Sequence, residues 1–172
     1  FDLKVESSRP WAAFRGTKLR IGRTDYEHVE LEGDEVGTRF ESEGIEGRFE
    51  LVQKARGSWT GSLGLQFSDV DFSAIGEEAF VPPSTTRSSA LFAFQEVGFS
   101  DDRLKLQLGG RFERQQNRPD GVALPDRDFS GVSASAGLVW SLPQDHSIAL
   151  SVARSERLPT STELYADGPH AA

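Results

Sequence analysis

Arg103-Leu-Lys-Leu-Gln-Leu-Gly-Gly-Arg-Phe-Glu113 is the stretch on which the fold turns. Side chains on a strand alternate faces with period two. Leu104, Leu106, Leu108, Gly110 and Phe112 therefore share one side, and Arg103, Lys105, Gln107, Gly109, Arg111 and Glu113 share the other. A strand of a soluble sheet commonly runs about five or six residues. This stretch keeps its alternation over roughly the 9–11 residues that a tilted strand needs to cross a bilayer.

The pattern recurs at hairpin spacing. Trp59, Gly61, Leu63, Leu65 and Phe67 oppose Ser58, Thr60, Ser62, Gly64, Gln66 and Ser68. Ile45, Gly47, Phe49 and Leu51 oppose Gly44, Glu46, Arg48 and Glu50. Val132, Ala134, Ala136, Leu138 and Trp140 share a face, as do Ile148, Leu150 and Val152, and Phe1, Leu3 and Val5. Two segments are less regular. Thr17–Leu31 alternates at Leu19 and Ile21 before charges appear on both faces, and Ala90–Phe99 is apolar on both. No 3.6-residue periodicity persists, so helices are not expected.

Connections alternate in length. Short ones lie near Lys54–Gly57, Ser100–Asp102 and Leu142–Asp145; long ones run Asp71–Arg87, Gln116–Arg127 and from Arg157 onward. Outer-membrane barrels pair tight periplasmic turns with longer extracellular loops. Asp101-Asp102 and Pro143-Gln-Asp145 offer side-chain caps and a preset φ for the turns. Trp59 and Trp140 fall near the same short-turn end, where an aromatic girdle belongs.

Composition narrows the field. The 172 residues carry no cysteine, which removes disulfides and thiolate metal sites. The net charge of −8, without a Lys/Arg cluster, argues against nucleic acid. No run of about 18 apolar residues predicts a transmembrane helix. A negative mean hydropathy is no objection, because a barrel strand shows lipid only its alternate residues. The pattern predicts an all-β fold: an antiparallel transmembrane β-barrel segment of about eight long strands. Phe1 falls inside an alternating strand, the chain has no methionine and no signal peptide, and Ala172 falls within a loop. Residues 1–172 are thus expected to be a portion of something larger.

A family resemblance enters at Ala153-Arg-Ser-Glu-Arg-Leu-Pro-Thr-Ser-Thr-Glu-Leu-Tyr-Ala-Asp-Gly-Pro-His170. This stretch resembles the late-barrel segment of TonB-dependent outer-membrane receptors, which often carry Ser-x-Arg-x-Pro followed by Glu-Leu where a strand enters an extracellular loop. Asp167-Gly-Pro-His170 resembles in particular the zinc- or iron-uptake subgroup. Gly22-Arg-Thr-Asp-Tyr-Glu-His28 through Phe40, and Phe72-Ser-Ala-Ile-Gly-Glu-Glu-Ala-Phe-Val-Pro-Pro83, are similar to the family as well. The resemblance implies a plugged barrel of about 22 strands, of which this chain supplies part of the wall; the N-terminal plug and the TonB-contacting segment are not among these residues. It further implies a Gram-negative outer membrane as location, membrane lipid as surroundings, and the plug domain and TonB energy-coupling complex as partners. The cargo implied is a metal ion or a zinc or iron chelate, carried as substrate, with no resident cofactor.

Residue types suggest few ligands for such cargo. Histidine and carboxylate suit Zn²⁺, which draws attention to His28, to Glu77 and Glu78 in the Asp71–Arg87 connection, and to Asp167. None of these pairs has a spacing diagnostic of a metal site, and the metal ligands stay unassigned. His170 ranks above His28 only through the resemblance. The lumenal rows are expected to include Lys105, Gln107, Arg111, Glu46, Arg48 and Glu50.

No catalytic residue is expected. Ser155-Glu-Arg-Leu-Pro lacks a nucleophile elbow and a partnered histidine, and the glycines form no phosphate cradle before a helix. The alternatives to a receptor wall are a soluble all-β ligand-binding module and a complete small eight-stranded outer-membrane barrel.

Overall fold

The computed structural model describes residues 1–32, 35–76, 79–101, 103–121 and 123–167. Alternation produces one antiparallel sheet whose strands follow chain order. They are β1 (Asp2–Ser7), β2 (Phe14–Glu32), β3 (Glu35–Gln53), β4 (Trp59–Gly76), β5 (Ser84–Phe99), β6 (Leu104–Pro119), β7 (Arg127–Ser141) and β8 (Ser147–Arg154). The sheet is open, with β1 and β8 at its edges, so the eight strands do not close as a small barrel.

Register aligns the apolar residues into continuous rows. One row crosses the sheet as Val5, Leu19, Phe49, Leu65, Leu91, Phe112 and Val132, each opposite the next. The neighbouring row on the other face is Lys18, Glu50, Gly64, Phe92, Arg111 and Ser133. A one-residue slip in any strand would swap these faces, so the apolar row fixes the register. Among the described residues the buried hydrophobic side chains are Ala74, Val81, Ala90 and Tyr165, whereas Leu65 and Leu91 stand 52% and 57% exposed. Such a band lacks the second layer that a water-soluble sheet needs. Lipid is the medium that suits it, which makes the polar face the lumenal one.

The doubly apolar Ala90–Phe99 segment has a packing reason. Phe92 lies on the polar face, filling the space above Gly64, where an added Cβ would stand 2.5 Å from the Phe92 ring. The guanidinium of Arg48 covers the same ring at 3.9 Å. Gln95, on the apolar face, accepts a 2.7 Å hydrogen bond from the Trp59 indole.

Three expectations need correction. The strands outlast the apolar band: Asp71–Gly76 belongs to β4, Ser84–Arg87 to β5 and Gln116–Pro119 to β6. Cross-strand polar pairs carry the ladder there, with Thr85 donating to Asp71 at 2.7 Å and Arg87 to Asp69 at 2.9 Å. β2 and β3 likewise continue through the charged part of Thr17–Leu31, held by Arg23–Glu43, Arg39–Glu27 and Arg39–Glu41 ion pairs. Where both faces are polar, alternation leaves no hydropathy signal.

The short turns differ in mechanism. Ser100 and Asp101 (φ 54° and 57°), and Gln144 and Asp145 (φ 62° and 60°), are consecutive left-handed residues. That geometry matches the right-handed strand twist, as in primed hairpin turns, so proline presetting and side-chain caps are not the main device. A helix also exists, α1 (Ser161–Tyr165). It is one turn long and rests on a local capping box, too short to leave a periodicity.

Candidate functional site on the polar face

At the end of the sheet bearing the long connections, the polar face stops being a plain strand surface. Residues 155–167 leave β8 and fold back across β7 and β6. Glu156 accepts the Val132 backbone N–H at 2.8 Å, and its own N–H donates to Ser133 Oγ at 3.2 Å. This covers the part of the β7 edge that β8 has already left. Gln115 Nε2 donates to the Pro159 carbonyl at 2.7 Å.

The turn that follows is built locally. Thr160 caps α1, with its hydroxyl accepting the Glu163 N–H at 3.3 Å while the Glu163 carboxylate accepts the Thr160 N–H at 2.8 Å. Arg157 donates to Glu163 at 2.8 Å. These bonds hold the Glu163 carboxyl down at about 2, with the arginine contributing most.

α1 seats on Asn117, which is completely buried. Thr86 Oγ1 donates to Asn117 Oδ1 at 2.9 Å and lies 2.9 Å from Ser161 Oγ. Tyr165 Oη donates to the carbonyls of Asn117 and Pro125, at 3.1 and 3.2 Å. Burial pushes the Tyr165 phenol up from its ordinary value. Asp167 N–H donates to the Phe80 carbonyl at 2.9 Å, tying this segment to the connection between β4 and β5.

Beside this folded segment the polar face carries aromatic rings. Tyr26 and His28 on β2, Phe40 on β3 and Phe72 on β4 are all of one phase. His28 stacks on Phe40, with centroids 4.7 Å apart and planes 8° off parallel. Tyr26 lies 5.4 Å from His28, and Phe72 lies 6.4 Å from Phe40. His28 Nδ1 is buried and lacks a hydrogen-bond partner among the described residues. His28 Nε2 is 3.9 Å from Glu30 Oε1.

Below this level the face is a charged mesh. Gln107 donates to Glu96 at 2.7 Å, Lys105 lies 3.5 Å from Glu96, and Arg111 contacts both Glu113 and Gln66. The expected lumenal residues Lys105, Gln107, Arg111, Glu46, Arg48 and Glu50 do share this face.

A sheet with one lipid-suited face, one charged face and a long-connection end folded inward is the pattern of a large outer-membrane barrel wall. The family described as TonB dependent receptor-like, beta-barrel matches residues 5–172. The chain belongs to the TonB-dependent receptor β-barrel family. Receptors of this family are outer-membrane transporters that work with a plug domain and TonB.

The receptor's sequence-predicted ligands divide into separate groups. His28 sits in the aromatic group on β2. Asp167 meets the connection after β4 through its main chain. Glu77, Glu78 and His170 lie outside the described residues. Among the described residues no three His, Cys, Asp or Glu side chains converge to hold a metal ion. Sequence reading overlooked Tyr26, Phe40, Phe72, Asn117 and Tyr165. Extending the Leu19/Ile21 phase through the charged stretch would have placed Tyr26 and His28 on the polar face; α1 seating on Asn117 left no such signal.

Proposed function

We propose that this receptor wall lies in a Gram-negative outer membrane and takes up a metal ion or metal chelate, received at the long-connection end by the aromatic group around His28. The observation that carries the reading is the ring series Tyr26, His28, Phe40 and Phe72 on the lumenal face. Its rings offer flat apolar area to the organic part of a chelate. His28 and Glu30 bring nitrogen and oxygen donors beside it, types that suit Zn²⁺ and iron. Asp167, and with it Glu77, Glu78 and His170, would contribute from the neighbouring connections. The plug and the TonB complex would release the cargo inward. Catalysis has no part in this reading, and family membership leaves the soluble module unsupported.

The test is binding of Zn²⁺ alone and of a ferric catecholate to the detergent-folded protein by calorimetry. Phe40→Ala and His28→Ala should each weaken chelate binding several-fold while circular dichroism stays unchanged. Full affinity in both variants would remove the aromatic group from the site. Absence of binding for either probe would overturn the metal reading.

A further inference from the structure

We propose that Arg114, on the lipid-facing side of β6, is the anchor of a binding site for a phosphorylated lipid headgroup. The site lies on the opposite face from the cargo wall and does not depend on the reading of the cargo.

Register places Arg114 one row beyond the apolar row of Leu65, Leu91, Phe112 and Val132, toward the long connections. Its row neighbours on β5 and β7 are Ser89 and Ser130. That is where hydrocarbon gives way to headgroups for a barrel with this apolar band.

Arginines on this face above the band are otherwise matched with carboxylates. Arg23 pairs with Glu43, Arg39 with Glu27 and Glu41, Arg87 with Asp69, Arg118 with Asp126 and Arg154 with Glu156. Arg114 forms no ion pair among the described residues. Its guanidinium instead stands 5.7 Å from the Phe112 ring centre, at the border of the band. Asp128 shares the face but lies a row further out, opposite Gln116.

Two shallow recesses meet at Arg114. The outer one is of mixed polarity, walled by Arg87, Ser89, Gln116, Phe129 and Ser130, with Asp128 at its outer side. The inner one is apolar, walled by Leu65, Phe67, Leu91 and Phe112. Arg114 lines both. A guanidinium with its donors free, flanked by hydroxyls, recognises phosphate oxygens through charge-assisted hydrogen bonds. The apolar recess beneath suits the acyl chain of the same molecule. An amphipathic occupant with phosphate above and hydrocarbon below matches both recesses; a free anion matches one.

Native mass spectrometry of the detergent-folded chain tests this with phosphatidic acid as probe and diacylglycerol, which lacks only the phosphate, as control. Phosphatidic acid should bind the parent in preference to diacylglycerol. Arg114→Gln should lose about five-fold in affinity, corresponding to about 1 kcal/mol for a basic residue beside an anionic lipid surface. Arg114→Lys should retain most of it, and Arg23→Gln, an already paired arginine, should match the parent. Circular dichroism verifies folding, and if Arg114→Gln misfolds, Ser89→Ala with Ser130→Ala replaces it, with a several-fold loss expected. Equal binding of both lipids, or undiminished phosphatidic acid binding in the folded Arg114→Gln or double-serine variant, would overturn the proposal. Displacement of the lipid by an equal concentration of inorganic phosphate would overturn it in favour of a free-anion site.

Discussion

Gly64 and Glu163 show how much single residues control here. A Cβ at Gly64 would stand 2.3 Å from the Phe49 carbonyl as well as against Phe92, so Gly64→Ala must move backbone. We expect it to destabilise the folded barrel by roughly 1–3 kcal/mol, the usual range for overpacking, as measured by urea unfolding in micelles; Gly110→Ala, with open space around it, should cost much less. Glu163 acts through charge. Its folded carboxyl titrates at about 2, below the ordinary 4.5, so its contribution is complete above about pH 4.5 and fades as pH falls towards 2. The near-ultraviolet dichroism of docked Tyr165 should weaken over that window, and Glu163→Gln should weaken it already at neutral pH. A signal unchanged down to pH 2 would mean that the Arg157–Glu163 bond does not hold α1. Neither Gly64 nor Glu163 could be singled out from the sequence, since both depend on partners far away or on a fold-back that periodicity does not encode.

At the scale of elements, β6 separates the two faces most sharply. Leu106 lies between Val97 and Leu138 on the apolar face, and Gln107 between Glu96 and Gly137 on the polar one. Leu106 stands at the Trp59 level, so the sharper probe is the next residue of its face toward mid-band: Leu108→Arg should cost about 2–4 kcal/mol. Gln107→Arg should be tolerated, because Glu96 is at hand to accept the new guanidinium. Thermal unfolding in micelles compares them, and equal losses would mean that both faces are packed alike. Strand identity was legible in β4, β6 and β7 because each shows lipid one clean row. The outer ends of β2 to β6 were not, because beyond the lipid-facing band no single apolar row is kept, while cross-strand polar pairs keep the backbone extended. The aromatic group was hidden for the same reason: Tyr26 and His28 sit among charges whose phase had been lost.

As a whole molecule, the sheet offers two unpaired edges and an apolar band to its surroundings. We expect the chain by itself to aggregate in buffer and to form a discrete β-rich species in detergent micelles, as read by gel filtration with circular dichroism. A monodisperse soluble monomer with a sharp thermal transition would contradict a lipid-suited face.

The tryptophans near the short turns also set an inclination. Following register from Trp59 on β4 leads through Val97 and Leu106 to Leu138 on β7, two residues above Trp140. The opposite border does the same: Phe67 leads through Ser89 and Arg114 to Ser130, again two residues above Val132. Both shorelines of the hydrocarbon thus slip by one equal step across the same three strand spacings. With a rise of about 3.4 Å per residue and about 4.8 Å between strands, these strands lean by about 25° from the membrane normal. Projected at that slope, the span from Trp59 to Phe67 stands about 25 Å tall, the height of the apolar belt around an outer-membrane barrel.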